Sequence, residues 1–162
     1  MNIFATDPDP AVSAKALDDK RVNKMILETA QMICTVLHKY GIDTPYKPTH
    51  ENHPCTLWMG ESKENFKWAL KHLFALNREF VLRFNKNANH ASYTAINMIQ
   101  INGAHIDLLP DKPFTPPPLV GTYPFKFNNV YESYKYILKM KWISDVIPPK
   151  WSNTSAPAWY LP

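Results

Sequence analysis

Residues 18–38 read DDKRVNKMILETAQMICTVLH, and this stretch decides the fold. On a helix advancing about 100° per residue, with Arg21 taken as zero, Lys24, Glu28, Gln31 and Thr35 fall within an arc of roughly 80°. Val22, Met25, Ile26, Leu27, Ala30, Met32, Ile33, Cys34, Val36 and Leu37 fill most of the remaining circumference. An ordinary surface helix has a broad polar face and a narrower apolar stripe. Here the proportions are reversed. The pattern predicts a helix from Asp18 or Asp19 to about Tyr40, begun by an aspartate cap and stopped at Gly41. Protein is expected on most sides of it, with one charged row left open. Glu28 lies in that row, one turn after Lys24 and two turns after Arg21. A carboxylate held in a partly dry row beside two cations can be tuned for acid/base chemistry. The same pattern also describes a buried helix with a satisfied ion-pair row.

Working outward, the short apolar start Met1–Ala5 can tuck against the core. Asp7-Pro8-Asp9-Pro10 is a stiff turn able to open a helix, since proline is tolerated in a first turn. A short helix is expected from there through Leu17. After Gly41, residues 42–52 carry two prolines and no helical period, so they read as loop. His53-Pro54-Cys55 opens a helical turn toward Trp58. Ser62 can cap a long helix to about Phe84, whose core stripe is Phe66, Ala69, Leu70, Leu73, Phe74, Leu76, Phe80, Val81 and Phe84. A helix is expected within His90–Ile101. Six prolines between Leu109 and Pro124 mark an extended loop. A last helix runs from Asn129 to about Trp142. The tail from Ser144 to Pro162, rich in Pro and Trp, is expected to pack on the body. The fold class is therefore all-α: a compact single-domain bundle of three main helices, with long Pro-rich loops and an aromatic C-terminal tail.

Bulk composition bounds the function. At 162 residues and 45% hydrophobic content, the chain can bury a core without staples. A net charge of +4 is compatible with nucleic acid but below the density of a binder driven by charge alone. Cys34 and Cys55 form no spacing motif, so a disulfide framework is not expected, and a reducing, cytoplasmic compartment is. No apolar run approaches the ~20 residues that span a bilayer. The start MNIFATDPDP lacks a basic region and an apolar stretch, so no signal peptide is expected. Only four glycines occur and none builds a phosphate loop; GxSxG, HExxH and paired CxxC patterns are missing. No feature demands an oligomer, so a monomer is expected.

Two further groups stand out. His50, His53 and Cys55 hold ligand-type atoms, but a metal site would need a further histidine such as His72 or His90 to converge. Otherwise His53 caps the short helix and His50 bonds within a turn, or one of them touches a phosphate or sugar. Lys20, Arg21, Lys24, Lys47, Lys63, Lys67, Lys71 and His72 can line one side of two helices and hold a polyanion over the Glu28 row; a solvated lysine face is the plainer alternative. Trp58, Trp68, Trp151 and Trp159 are candidate stacking rings.

The run Leu17-Asp18-Asp19-Lys20-Arg21-Val22-Asn23-Lys24-Met25-Ile26-Leu27-Glu28 resembles the phage-type pyrimidine dimer DNA glycosylases, the endonuclease V family. That family also shows a short apolar start, a basic residue seven positions before the glutamate, and an aromatic C-terminal segment, here Lys150-Trp151 and Trp159-Tyr160. The segments LDDKRVNKMILETAQMI and HPCTLW are also similar to proteins encoded in tailed-phage genomes. The resemblance implies a DNA glycosylase/AP lyase acting on damaged or modified pyrimidines in double-stranded DNA, without a cofactor. It implies attack on the sugar C1′ by the protein's own N-terminal amine. An α-amino group is suited to this because its ordinary pKa of about 7.7–8 leaves part of it neutral at pH 7. Glu28 would manage protons, with Arg21 and Lys24 on the phosphates and Lys20, Gln31, Lys47, His50 and His53 around them. The family's nucleophile is a small residue exposed by removal of the initiator Met. Here residue 2 is Asn, so the amine is expected on Met1 or Asn2. Two other readings stay open: a non-catalytic nucleic-acid-binding accessory protein, and a metal-dependent hydrolase or nuclease built on the histidines.

Overall fold

A computed structural model describes residues 1–121 and 127–160. Seven helices and no strand occur among them: α1 (Pro10–Ala16), α2 (Asp19–His38), α3 (Pro54–Gly60), α4 (Lys63–Arg83), α5 (Ala91–Met98), α6 (Gly103–Asp107) and α7 (Val130–Ser144). The three longest are α2, α4 and α7, the three main helices that the sequence predicts. α6 is an addition, a single short turn set up by a capping box between Asn102 and His105.

Most helix starts follow the side-chain rules. Asp9 accepts from the Ala11 amide at 2.7 Å to begin α1, and Ser62 accepts from Asn65 at 3.0 Å to begin α4. His53 and His90 serve the same purpose for α3 and α5, each accepting on Nδ1 from the amide two residues on. α2 departs from expectation. Asp18 occupies its cap position without a side-chain capping bond, because its carboxylate is drawn inward to Arg21 and Trp142. Gly41, at φ +75°, ends the turn that follows α2.

α2 lies on α4, with α1 against α4 and with α3 and α5 also against α2. Val22, Met25, Ile26, Ala30, Met32, Ile33, Cys34, Val36 and Leu37 are all buried, so α2 is enclosed as predicted except at Leu27, which stands 39% exposed beside the open row. α4 buries Phe66, Ala69, Leu73 and Leu76, whereas Phe74 stands 52% exposed at the edge of the stripe. The loop from 109 to 121 is extended yet anchored. Asn65 and Thr115 exchange two hydrogen bonds of 2.9 Å, and Trp58 Nε1 donates to the Thr115 carbonyl at 2.8 Å. Pro124, the far end of the predicted loop, lies outside the described residues, as does Pro162.

The junction between α1 and α2 is built around Arg83 at the end of α4. Its guanidinium is wholly buried. It donates to the carbonyls of Leu17 (2.6 Å) and Lys15 (2.8 Å) and to Glu79 (2.9 Å), with Asp19 at 3.4 Å. These carbonyls end α1 and have no intrahelical donor, so the arginine caps one helix from another. The tail packs on the body as expected. Trp142 stacks on Trp159 at 5.5 Å and meets Trp151 and Tyr160 edge to face.

Candidate active site

Residues 2–6 are buried. The Asn2 carboxamide oxygen accepts from the amides of Ile3 (2.7 Å) and Phe4 (3.1 Å), and the chain bends so that Phe4 takes a φ of +46°. Short polar side chains favour such local capping of the backbone. The amide of Asn2 itself points the other way and donates to Glu28 Oε2 at 2.9 Å. The second carboxylate oxygen of Glu28 lies 3.3 Å from Lys24 Nζ. The Glu28 side chain is 13% exposed and that of Lys24 66%. The carboxylate is held, while the lysine can swing into solvent.

His53 closes the other side. Its Nδ1 is occupied in capping α3. Burial lowers its pKa, the N-terminal ammonium and His50 lower it further, and the Met1 backbone and Glu28 act in the opposite sense. With Nδ1 accepting from the Cys55 amide, the ring carries its proton on the other nitrogen and donates it toward the Met1 backbone. Cys55 lies beneath. Burial pushes its thiol up to about 12; the N-terminal ammonium lowers it slightly and the Glu28 carboxylate raises it. It is a packing thiol, not a nucleophile. Met1, Asn2, Lys24, Glu28 and His53 thus meet at one place.

The remaining candidates divide. His50 neighbours His53, sits at φ +50°, and has Nδ1 2.7 Å from the Thr49 hydroxyl. Gln31 continues the Glu28 row, half-buried. Thr35, expected in the open row, is fully buried. Its hydroxyl reaches the Gln31 carbonyl at 2.8 Å and the Thr49 backbone at 3.1 Å, so the loop after α2 covers it. Lys47 is exposed on that loop. Lys20 is exposed at the start of α2, next to a cleft of about 600 Å³ that Asn23, Phe80, Phe84 and Lys86 also line.

Arg21 does not lie open in the row. Its side chain is 8% exposed, with Nη1 2.9 Å from Asp18 and Nη2 2.9 Å from Asp145. Burial alone would raise the Asp145 carboxyl, but Arg21 and Lys20 beside it hold it below its ordinary value. Asp18 also accepts from Trp142 Nε1 at 2.8 Å. Sequence reasoning did not anticipate Asp145 or Trp142, since no local pattern links them to α2.

The broader basic patch is smaller than predicted. Lys63 pairs with Asp107 and Lys67 with Glu64. His72 is fully buried, stacked on Trp68, with Nδ1 3.0 Å from the Pro10 carbonyl. Trp58 and Trp68 are core residues, and Trp151 and Trp159 are taken up by the tail cluster. Among the described residues no three His, Cys, Asp or Glu side chains converge as a metal would require.

The sequence model of the pyrimidine dimer DNA glycosylases matches residues 1–92, more than half of the chain. The chain belongs to that family. The pyrimidine dimer DNA glycosylase match contains every residue of the Asn2–Glu28 group together with His50 and His53. It ends within α5, so Trp142, Asp145 and the tail that brace α2 lie beyond it. No curated protein and no solved structure matches the chain significantly.

Proposed function

We propose that the protein is a DNA repair glycosylase with AP lyase activity toward damaged or modified pyrimidines in duplex DNA, using its N-terminal amine as nucleophile. The observation that carries this reading is the backbone nitrogen of residue 2, held 2.9 Å from the Glu28 carboxylate. If Met1 is removed, that nitrogen is the free amine itself. If Met1 stays, its amine is one residue away, near enough to act on His53 and Cys55. Family membership supports DNA as the substrate.

The chemistry follows from those groups. The neutral amine attacks C1′, and the glycosidic bond breaks with its electron pair leaving on the base. Glu28 takes the proton released from the amine and passes it to O4′ as the C1′–O4′ bond breaks, which opens the sugar ring and leaves an iminium linkage between protein and sugar. Removal of a proton from C2′ then breaks the C3′–O bond and nicks the strand. Glu28 is fixed from both sides for the first proton transfer. Lys24 can leave Glu28 for a phosphate when DNA arrives. Arg21 acts through Asp145 and Asp18 as a brace for α2, unless DNA displaces Asp145 from it.

Borohydride reduction tests the reading. Wild-type protein mixed with an abasic duplex should yield a trapped covalent complex. Glu28→Gln keeps an acceptor for the Asn2 amide, so it should fold normally and lose trapping. Acetylation of the N-terminal amine should abolish trapping as well. A chain with a free amine that never traps would sink the mechanism. Salt-sensitive DNA binding that survives Glu28→Gln, without trapping by the wild type, would favour a non-catalytic binding protein.

A further inference from the structure

Residues 145–150, DVIPPK, form a turn across the N-terminal end of α2. The turn is fastened at both ends. Asp145 is bound by Arg21 at 2.9 Å and Lys20 at 3.3 Å. The Lys150 carbonyl accepts from the Asp19 amide at 2.9 Å. Trp142 before it and Trp151 after it meet edge to face at 5.1 Å. Pro148 and Pro149 fix the backbone on the return path. At the tip, Val146 is 99% exposed and Ile147 is 70% exposed. Two branched apolar side chains are thus held out into water on a braced support, with Ile143, 75% exposed, on the last turn of α7 before it.

The position of the tip matters. Lys20 and Arg21 share Asp145, and their mean direction around α2 falls between those of Lys24 and Glu28 at about 100° per residue. Glu28 is seven to eight residues further along, about 11 Å at 1.5 Å per residue. That is roughly three steps of a nucleic-acid strand at about 3.4 Å each. The flanking cations Lys20, Lys24 and Lys150 are all exposed, so the tip is apolar inside a basic frame. A polyanion with an apolar interior is the matching partner. A flat protein-binding face would leave each side chain partly shielded by its neighbours, and nothing shields Val146.

We propose that Val146 and Ile147 form a wedge that enters the base stack of duplex DNA about three steps from the lesion held at Glu28, with Lys20, Lys24 and Lys150 on the adjoining phosphates. This inference rests on the DNA lyase reading above. Apolar side chains placed between base steps unstack them and kink the duplex. A kink a few steps from a damaged site bends the duplex toward the protein and eases extrusion of the damaged nucleotide.

The test uses the full chain and duplexes containing a tetrahydrofuran abasic analogue with 2-aminopurine about three nucleotides from it, on either side. Wild-type binding should raise 2-aminopurine fluorescence. The pair Val146→Ser and Ile147→Ser should remove that rise and weaken binding at least about tenfold. Its melting temperature should not change, because the replaced side chains are in solvent. Combining Val146→Ser with Ile147→Phe, which puts a large apolar side chain back at the tip, should return the signal. A double variant that keeps both the signal and the affinity overturns the wedge. So does a double variant that changes only the sedimentation of the free protein, which would make the tip a self-association face. A wild-type chain that ignores the duplex overturns the lyase reading itself, separately from the wedge.

Discussion

Replacing Arg83 with methionine should be one of the most damaging single changes available in this protein. Methionine keeps most of the apolar bulk, so the effect isolates the polar network. The substitution leaves Glu79 without its buried partner and takes donors from the carbonyls of Lys15 and Leu17. Asp19 is less affected, because Ser152 donates to it from both its amide and its hydroxyl. Removing one member of a buried pair costs about 3–5 kcal/mol. For a chain of this size each kcal/mol moves the midpoint by about 2–4 °C, so a fall of roughly 6–20 °C is expected. Thermal melts followed at 222 nm, with urea titration as a check, measure it. Arg83→Lys retains the charge but not the fork that spans two carbonyls and a carboxylate, and it should fall between wild type and Arg83→Met. Adding Glu79→Leu to Arg83→Met should recover part of the loss, because the stranded carboxylate is then gone. An Arg83→Met protein melting within about 2 °C of wild type would refute the argument that this arginine organises the junction.

Other outcomes follow from individual groups. Burial lowers the His72 pKa from 6.5 to about 4, against hydrogen bonds to backbone that raise it. The unfolded chain therefore takes up a proton that the folded one refuses. Stability is full above pH 6.5 and declines as the pH falls toward 4, by about 1.4 kcal/mol per pH unit and roughly 3 kcal/mol in all. His72→Gln should flatten that part of a stability–pH curve, and equal slopes in the two proteins would contradict it. Lys24→Ala should reduce the slope of log binding constant against log salt on an abasic duplex by about 0.9, the loss of one phosphate contact. An unchanged slope would remove Lys24 from the interface. With its pKa near 12, Cys55 should resist a thiol reagent at pH 8 in the folded protein, as should the buried Cys34. Both should react in denaturant; rapid native labelling of either would show that the site beneath the N-terminus opens readily.

Much of the fold is visible in local pattern. The reversed polarity of α2 correctly indicates enclosure, and Ser62, Gly41 and the Asn129 cap mark their elements by chemistry that acts over a few residues. Glu28 is legible for the same reason, since its half-buried position follows from the helical period. Arg21 shows the limit of such reasoning. Period alone places it in the open row, but its partner Asp145 comes from the far end of the chain, as does Trp142, 124 positions from Asp18. Phe74 is misassigned to the core because periodicity fixes the centre of a stripe better than its edges. Asn2 reads in sequence as a departure from the small residue of the family. In three dimensions its side chain caps two backbone amides while its own amide meets Glu28, a dual use that residue type alone does not reveal.

The ring cluster of the tail gives the protein a built-in optical reporter. Trp142 and Trp159 lie nearly parallel, at 18°, with Trp151 and Tyr160 against Trp142. Indoles this close couple their transitions and should produce a strong near-ultraviolet circular dichroism couplet, whereas Trp58 and Trp68 form a separate pair elsewhere in the core. Detachment of the tail would extinguish the couplet while the helical signal of α2 and α4 persisted. The docking of residues 145–160 can thus be followed without labels as the free protein is heated or taken through denaturant.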